Sequence, residues 1–195
     1  MPDILVYKPD TLPDTLGDPA LLDAAETEAF AKRGRAYLLE RCLLKREIGR
    51  RLGMPPQEVR FTLSENGKPQ FPGIHFNLSH SGGVLCLAFH DAPVGVDIER
   101  IRPRKNLQAL AGRVMCEQQL AAFTARGCPA DEFYACWCAA EALVKHSAST
   151  VWHAREFPFL YREGRIAPLQ EGMPHVETFT PAEGFAGAVA YSDHG

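Results

Sequence analysis

The stretch IHFNLSHSGGVLCLAFHDAPVGVDIER, residues 74–100, divides into three short strand-like runs, IHFNLS, VLCLAFH and VGVDIER. The turn signals SGG and HDAP separate them. Strands this close, joined by such short turns, imply an antiparallel meander. In the third run Val94, Val96 and Ile98 alternate with Gly95, Asp97 and Glu99. A strand has period two, so Asp97 and Glu99 leave the same face, about 7 Å apart. Two carboxylates on one face repel unless a positive charge lies between them. Mg²⁺ is such a charge and takes one or two carboxylates together with waters and phosphates. A half-buried strand with a solvated polar face would show the same pattern.

Towards the N-terminus, VRFTLS reads as a further strand and SENGKP as a turn signalled by Asn66-Gly67. Residues 20–52 have helical periodicity, with Leu38, Leu39, Cys42 and Leu43 at i, i+4 spacing. Gly34 is placed to split this run, and LGMPP ends it. ILVY, residues 4–7, is a strand candidate followed by a Pro/Asp/Gly-rich loop. Towards the C-terminus, helical patterns cover 107–114, 116–127 and 130–147. FPFLYREGRIAPL and FAGAVAYS read as strands, and GFAGAVAYS loosely echoes GGVLCLAFH. The fold class expected is α+β.

The 195 residues suffice for one sizeable domain or two small lobes. No apolar run approaches the ~18 residues that cross a bilayer, and MPDILVYKP lacks the basic flank and apolar stretch of a secretory signal. A cytoplasmic location is therefore expected. The six cysteines form no C-x-x-C pair and read as small buried hydrophobes. Net charge is −3, yet residues 32–51 hold eight basic residues against two acidic ones, a local +6 that leaves −9 elsewhere. An anionic ligand or partner at one place fits that distribution; so does a solvated helix face. An RNA- or DNA-binding module is disfavoured by the acidic remainder and by the lack of aromatic interleaving along the arginine helix.

Ser79-His80-Ser81 does not have the G-x-S-x-G spacing or the strand-to-helix context of a hydrolase elbow. Hydroxyls, exposed N–H groups and an imidazolium suit a phosphate better, although a turn histidine capping backbone groups stays open. Lys68 stands on the Gly67-Lys68-Pro69 turn. Glu141 and Lys145 lie one helical turn apart on a face otherwise made of Ala, Leu, Val and Trp137. Such a pair is also the favoured orientation of an ordinary helix salt bridge.

NGKP, HFNLSHSGG, VGVDIER and W-x-x-x-E-A-x-x-K, in that order, resemble the 4′-phosphopantetheinyl transferases, most nearly the monomeric type that activates peptide synthetases. The resemblance implies two similar lobes related by a pseudo-twofold, residues 1–95 and 96–195, with the active site between them. It implies transfer of phosphopantetheine from coenzyme A to a serine of an apo acyl or peptidyl carrier protein, releasing adenosine 3′,5′-bisphosphate. Asp97, Glu99 and Glu141 match the family's magnesium ligands, with Mn²⁺ as an open alternative. Lys68, Ser79, His80 and Lys145 match residues that meet coenzyme A; Arg35, Arg41 and Lys45 are candidates for its 3′-phosphate. Glu141 and Lys145 are the expected catalytic pair, and a monomer without membrane or nucleic-acid partners is expected. Two departures stand out. Ala140 replaces the family's lysine before the glutamate, and His146-Ser147-Ala148-Ser149 replaces the usual glycines. On that ground a non-catalytic coenzyme A or carrier-binding homologue is the alternative. If Ala140 leaves a phosphate under-neutralised, Ala140→Lys should lower the KM for coenzyme A.

Overall fold

A computed structural model describes residues 1–65, 67–147 and 157–193. Asn66 of the predicted Asn-Gly turn, and Ala148 and Ser149 of the departure after Lys145, lie outside the described residues. The chain opens with β1 (Asp3–Tyr7), three short 3₁₀ turns, and helices α1 (Ala24–Arg33) and α2 (Arg35–Leu52). Gly34, at φ 73°, splits the two helices where the sequence placed the break. The entry to α1 is fixed by a capping box, in which Asp23 accepts from Glu26 N–H and Glu26 accepts in return. Next come a small ribbon, β2 (Thr62–Leu63) with β3 (Pro69–Gln70), and the hairpin β4 (His75–Ser81) and β5 (Val84–His90).

The second half repeats this order. It runs β6 (Val94–Arg100), helices α3 (Leu107–Val114), α4 (Glu117–Ala125) and α5 (Ala130–His146), ribbon β7 (Phe159–Arg162) with β8 (Arg165–Pro168), and hairpin β9 (His175–Phe179) and β10 (Phe185–Tyr191). Strand order is β1-β5-β4 in one sheet and β6-β10-β9 in the other, all antiparallel. The echo between VLCLAFH and FAGAVAY is thus topological, since β5 and β10 are the central strands of two equivalent sheets. The repeat changes over at the turn before Val94. Strand β9 was absent from the sequence reading.

The expected meander is corrected. Strands β4 and β5 form a hairpin, but β6 does not continue it; β6 leaves to pair with β10. The physical reason lies in the cores. Leu85, Leu87 and Phe89 on one face of β5 pack under Leu43, Leu44 and Ile48 of α2. Val84, Cys86 and Ala88 on its other face meet Val94, Val96 and Ile98 of β6. A strand this apolar on both faces needs a layer on each side, and β6 covers the second face rather than extending the edge. The layers run helix, sheet, sheet, helix. All six cysteines are free, and Cys42, Cys86, Cys136 and Cys138 are buried. Among the described residues no helix is long and apolar enough to cross a membrane.

Candidate active site

The two faces of β6 do different work. Val94, Val96 and Ile98 enter the core between the sheets. Gly95, Asp97 and Glu99 face α5. A Cβ on Gly95 would stand 2.1 Å from Ala142 O and 2.4 Å from His146 N, so the α5 backbone lies directly on this glycine. That approach brings Glu141 and Lys145 to the carboxylate face. Lys145 Nζ donates to Asp97 Oδ1 at 2.7 Å and to Val96 O at 3.2 Å. Asp97, Glu99, Trp137, Glu141 and Lys145 line one cavity of about 380 Å³, completed by Leu78, Ser79 and His80 of β4. Trp137 is partly packed into the α5 core, its ring 5.8 Å from that of Phe133.

Burial and then the neighbouring Asp97 push the Glu141 carboxyl above its ordinary pKa, against the pull of Lys145. The Cys138 thiol, beneath Asp97, is also pushed well up by burial and by that carboxylate, so it stays neutral. Asp97 Oδ2 is buried and has no hydrogen-bond partner among the described residues. Hard oxygen donors, an orphaned buried carboxylate oxygen and mutual repulsion between acids are what a divalent cation would relieve. Among the described residues no three acidic, His or Cys side chains are already gathered as a closed cage. The acids present are hard oxygen donors of the kind a divalent cation takes.

The N-terminal half supplies the opposite wall. His80 is largely exposed, and its Nε2 lies 3.8 Å from Oε2 of the buried Glu40 of α2. Ser79 Oγ is turned to Asp97, donating to Oδ1 at 2.8 Å. Lys68 Nζ donates to Lys145 O at 2.9 Å and Val94 O at 3.0 Å, so it caps the last turn of α5. Burial first, then Lys145, lowers its pKa to about 8. Lys68 does not line the acidic cavity; it borders a larger hollow of about 1080 Å³ with His75, His90 and His146. That hollow contains none of Asp97, Glu99 and Glu141.

The three α2 candidates separate. Lys45 is wholly buried; its Nζ meets Glu26 at 2.6 Å and Leu21 O at 2.8 Å, and it does not reach the cavity. Arg35 holds the N-terminal loop through Asp14 and the carbonyls of Pro9 and Leu12. Arg41 lies over the Tyr37 and Phe61 rings and beside Glu40, the carboxylate that His80 also approaches. Arg50 and Arg51 pair with Glu47 and Asp3. Asp14, Glu26 and Asp3, all outside residues 32–51, thus offset three of the local six positive charges.

Ala140 is 0% exposed within the α5 core. Ala140 is not among the residues that line the cavity, and a lysine there would enter packed side chains. Sequence reasoning missed Glu40, Gly95, Asn77 and Ser81. The every-second-residue pattern Asn77, Ser79, Ser81 was the available signal for the last two.

The sequence profile described as the 4′-phosphopantetheinyl transferase superfamily matches residues 93–183. The 4′-phosphopantetheinyl transferase AcpT of Salmonella typhimurium is 35% identical over 155 residues, 71% of this chain and 72% of that protein. The 4′-phosphopantetheinyl transferase psf-1 of Bacillus pumilus is 43% identical over 83 residues, 41% of this chain and 36% of that protein. HetI of Nostoc sp., likewise a 4′-phosphopantetheinyl transferase, is 28% identical over 152 residues, 72% of this chain and 63% of that protein. The chain therefore spans from about a third to somewhat over two-thirds of the lengths of these relatives.

Proposed function

Because the chain belongs to the 4′-phosphopantetheinyl transferase superfamily, we propose that it transfers 4′-phosphopantetheine from coenzyme A to a serine of an apo carrier protein. The reaction is Mg²⁺-dependent and releases adenosine 3′,5′-bisphosphate. The observation that carries this reading is the single cavity in which Asp97, Glu99, Glu141 and Lys145 face His80 from the other half. It holds carboxylates and cations but no activated nucleophile, as expected when the attacking serine arrives on another protein.

Asp97, Glu99 and Glu141 would hold the cation, which when bound offsets charge on the pyrophosphate. The carrier serine oxygen forms a bond to the β-phosphorus of coenzyme A. The bond from that phosphorus to the bridging oxygen breaks, and the electron pair leaves on the nucleotide. The serine proton passes to Glu141, whose raised pKa makes it a stronger base than an exposed carboxylate. Lys145, now on Asp97, supplies positive charge to the phosphates, and His80, on the rim, supplies a ring N–H donor. Ser79 and Lys68 hold the wall that receives coenzyme A, and Arg41 is the α2 cation best placed for its 3′-phosphate. The protein acts as a cytoplasmic monomer.

The test is intact-mass measurement of apo acyl and peptidyl carriers incubated with the protein, coenzyme A and Mg²⁺. The expected result is a mass gain of one phosphopantetheine on at least one carrier, abolished by a chelator. No gain on any carrier, with the protein folded, would sink the reading.

A further inference from the structure

Strand β6 lies at the edge of its sheet, and so does β4 of the other. Edge strands leave a row of N–H donors that need partners. No backbone ladder joins these two edges; side chains from every second residue of β4 take its place. Asn77 Oδ1 accepts from Val96 N–H at 2.8 Å, Ser79 Oγ from Ile98 N–H at 3.3 Å, and Ser81 Oγ from Arg100 N–H at 3.2 Å. Among the described residues no matching row joins β9 to β1, the equivalent edges of the repeat.

The two serines make a second contact that Asn77 does not. Ser79 Oγ donates to Asp97 Oδ1 at 2.8 Å, and Ser81 Oγ donates to Glu99 Oε2 at 2.7 Å. Each hydroxyl thus accepts from a β6 amide and donates to the carboxylate one residue before that amide. The residue before Val96 is Gly95, so Asn77 has no carboxylate to hold. A hydroxyl has one proton. With a lone pair engaged by the strand, that proton is directed at the acid. Glu99 is half-buried with a long side chain, and would otherwise distribute over rotamers.

We infer that Ser81 is a positioning residue for Glu99: the bond that joins the two halves also sets the carboxylate in place before a divalent cation arrives. The inference rests on the reading of Asp97, Glu99 and Glu141 as cation ligands. Ser81 touches no reacting group. Partners of metal-ligating carboxylates set ligand orientation, and their loss typically costs 10–100-fold in metal affinity.

The experiment measures Mn²⁺ alone binding to the full chain by titration calorimetry, for wild type, Ser81→Ala, Ser81→Thr and Asn77→Ala. Amide exchange at Val96 and Arg100 is followed in parallel. Ser81→Ala should weaken Mn²⁺ binding about tenfold. Ser81→Thr keeps the hydroxyl and should restore it. Asn77→Ala should speed exchange at Val96 and leave Mn²⁺ affinity unchanged. Wild-type affinity in Ser81→Ala, no rescue by threonine, or equal weakening by Asn77→Ala would overturn the inference, the last by assigning the effect to a looser junction. A wild type that binds no Mn²⁺ would also overturn it. If Asn77→Ala does not fold, the Ser81 pair decides. Mn²⁺ binding that depends on Ser81 in a chain that modifies no carrier would uphold Ser81 and sink the transferase reading. Normal transfer with Ser81→Ala indifferent would do the reverse.

Discussion

The two sheets share one plan and differ at the strand that each helix covers. β5 and β10 are both seven residues long with the same burial pattern. Aligning them makes the partner of Leu87, which is Leu5 of β1, equivalent to the partner of Ala188, which is Asp97 of β6. Tyr7 likewise corresponds to Glu99, and Asp3 to Gly95. In the first half, Leu5 and Tyr7 join Leu85, Leu87 and Phe89 under α2. In the second, Ala186, Ala188 and Ala190 lie under α5 with Cys138, Ala139 and Ala142. Small residues on both sides let helix and sheet approach closely, and the space that large side chains fill in the first half becomes the acidic cavity. One scaffold thus carries apolar packing side chains at this strand position in one half and cavity-lining carboxylates in the other.

The lysines sharpen the contrast. Lys45 of α2 is fully enclosed with Glu26, whereas Lys145 of α5 keeps 29% of its side chain accessible beside Asp97. One is a structural ion pair; the other can change partners.

The largest expected effect is on transfer. Asp97→Ala and Glu141→Gln should each reduce it by at least about a hundredfold, with circular dichroism unchanged. Near-normal transfer by both would erase the difference between the sheets. Leu5→Ala, at the position equivalent to Asp97, should lower stability but leave the rate per folded molecule intact. Next, Lys45→Ala should destabilise the protein by about 3–5 kcal/mol in denaturant titration, because Glu26 is left as an uncompensated buried charge. Lys145→Ala should cost less stability and raise the KM for coenzyme A; the opposite ranking would reverse the roles given to the two lysines.

Gly95→Ala and Ala140→Lys test the closeness of α5. The first drives a Cβ into backbone, which cannot swing aside, and the second overfills the core. Each should cost about 1–3 kcal/mol in thermal melts. Asp3→Ala, at the position matching Gly95, removes a half-exposed pair with Arg51 and should cost less than about 1 kcal/mol. A lowered KM for coenzyme A in Ala140→Lys would show that position 140 reaches the ligand after all.

The smallest effect is on titration. With its folded pKa raised, Glu141 binds a proton more readily in the folded than in the unfolded chain. Its contribution to stability is present below its unfolded pKa and is lost as pH rises through the folded value. Asp97→Asn removes one cause of the shift, so the carbon-13 NMR midpoint of Glu141 should move down; no movement would mean that Asp97 does not contribute to it.

Much of this was legible in the sequence because it is local. Alternation placed Asp97 and Glu99 on one face, helical spacing placed Glu141 above Lys145, and turn residues separated the strands of VLCLAFH and VGVDIER. The α+β class and the weak repeat followed from the same patterns. The fate of the basic residues 32–51 was not legible. Charge is a property of the residue, but whether Lys45 meets a phosphate or Glu26 depends on what folds against it. That Ala140 is enclosed in the α5 core was not legible either, because its burial depends on the sheet packed beneath it.

By itself, then, the sequence determined which side chains share a face and which chemistry they could perform together, since periods of two and 3.6 residues are set by the backbone. Tertiary structure alone decided that β6 leaves the meander, that Gly95 admits α5, and that Ser79 and Ser81 hold carboxylates. Those outcomes depend on contacts between segments far apart in the chain, where close packing and hydrogen-bond accounting, not local period, select the partner.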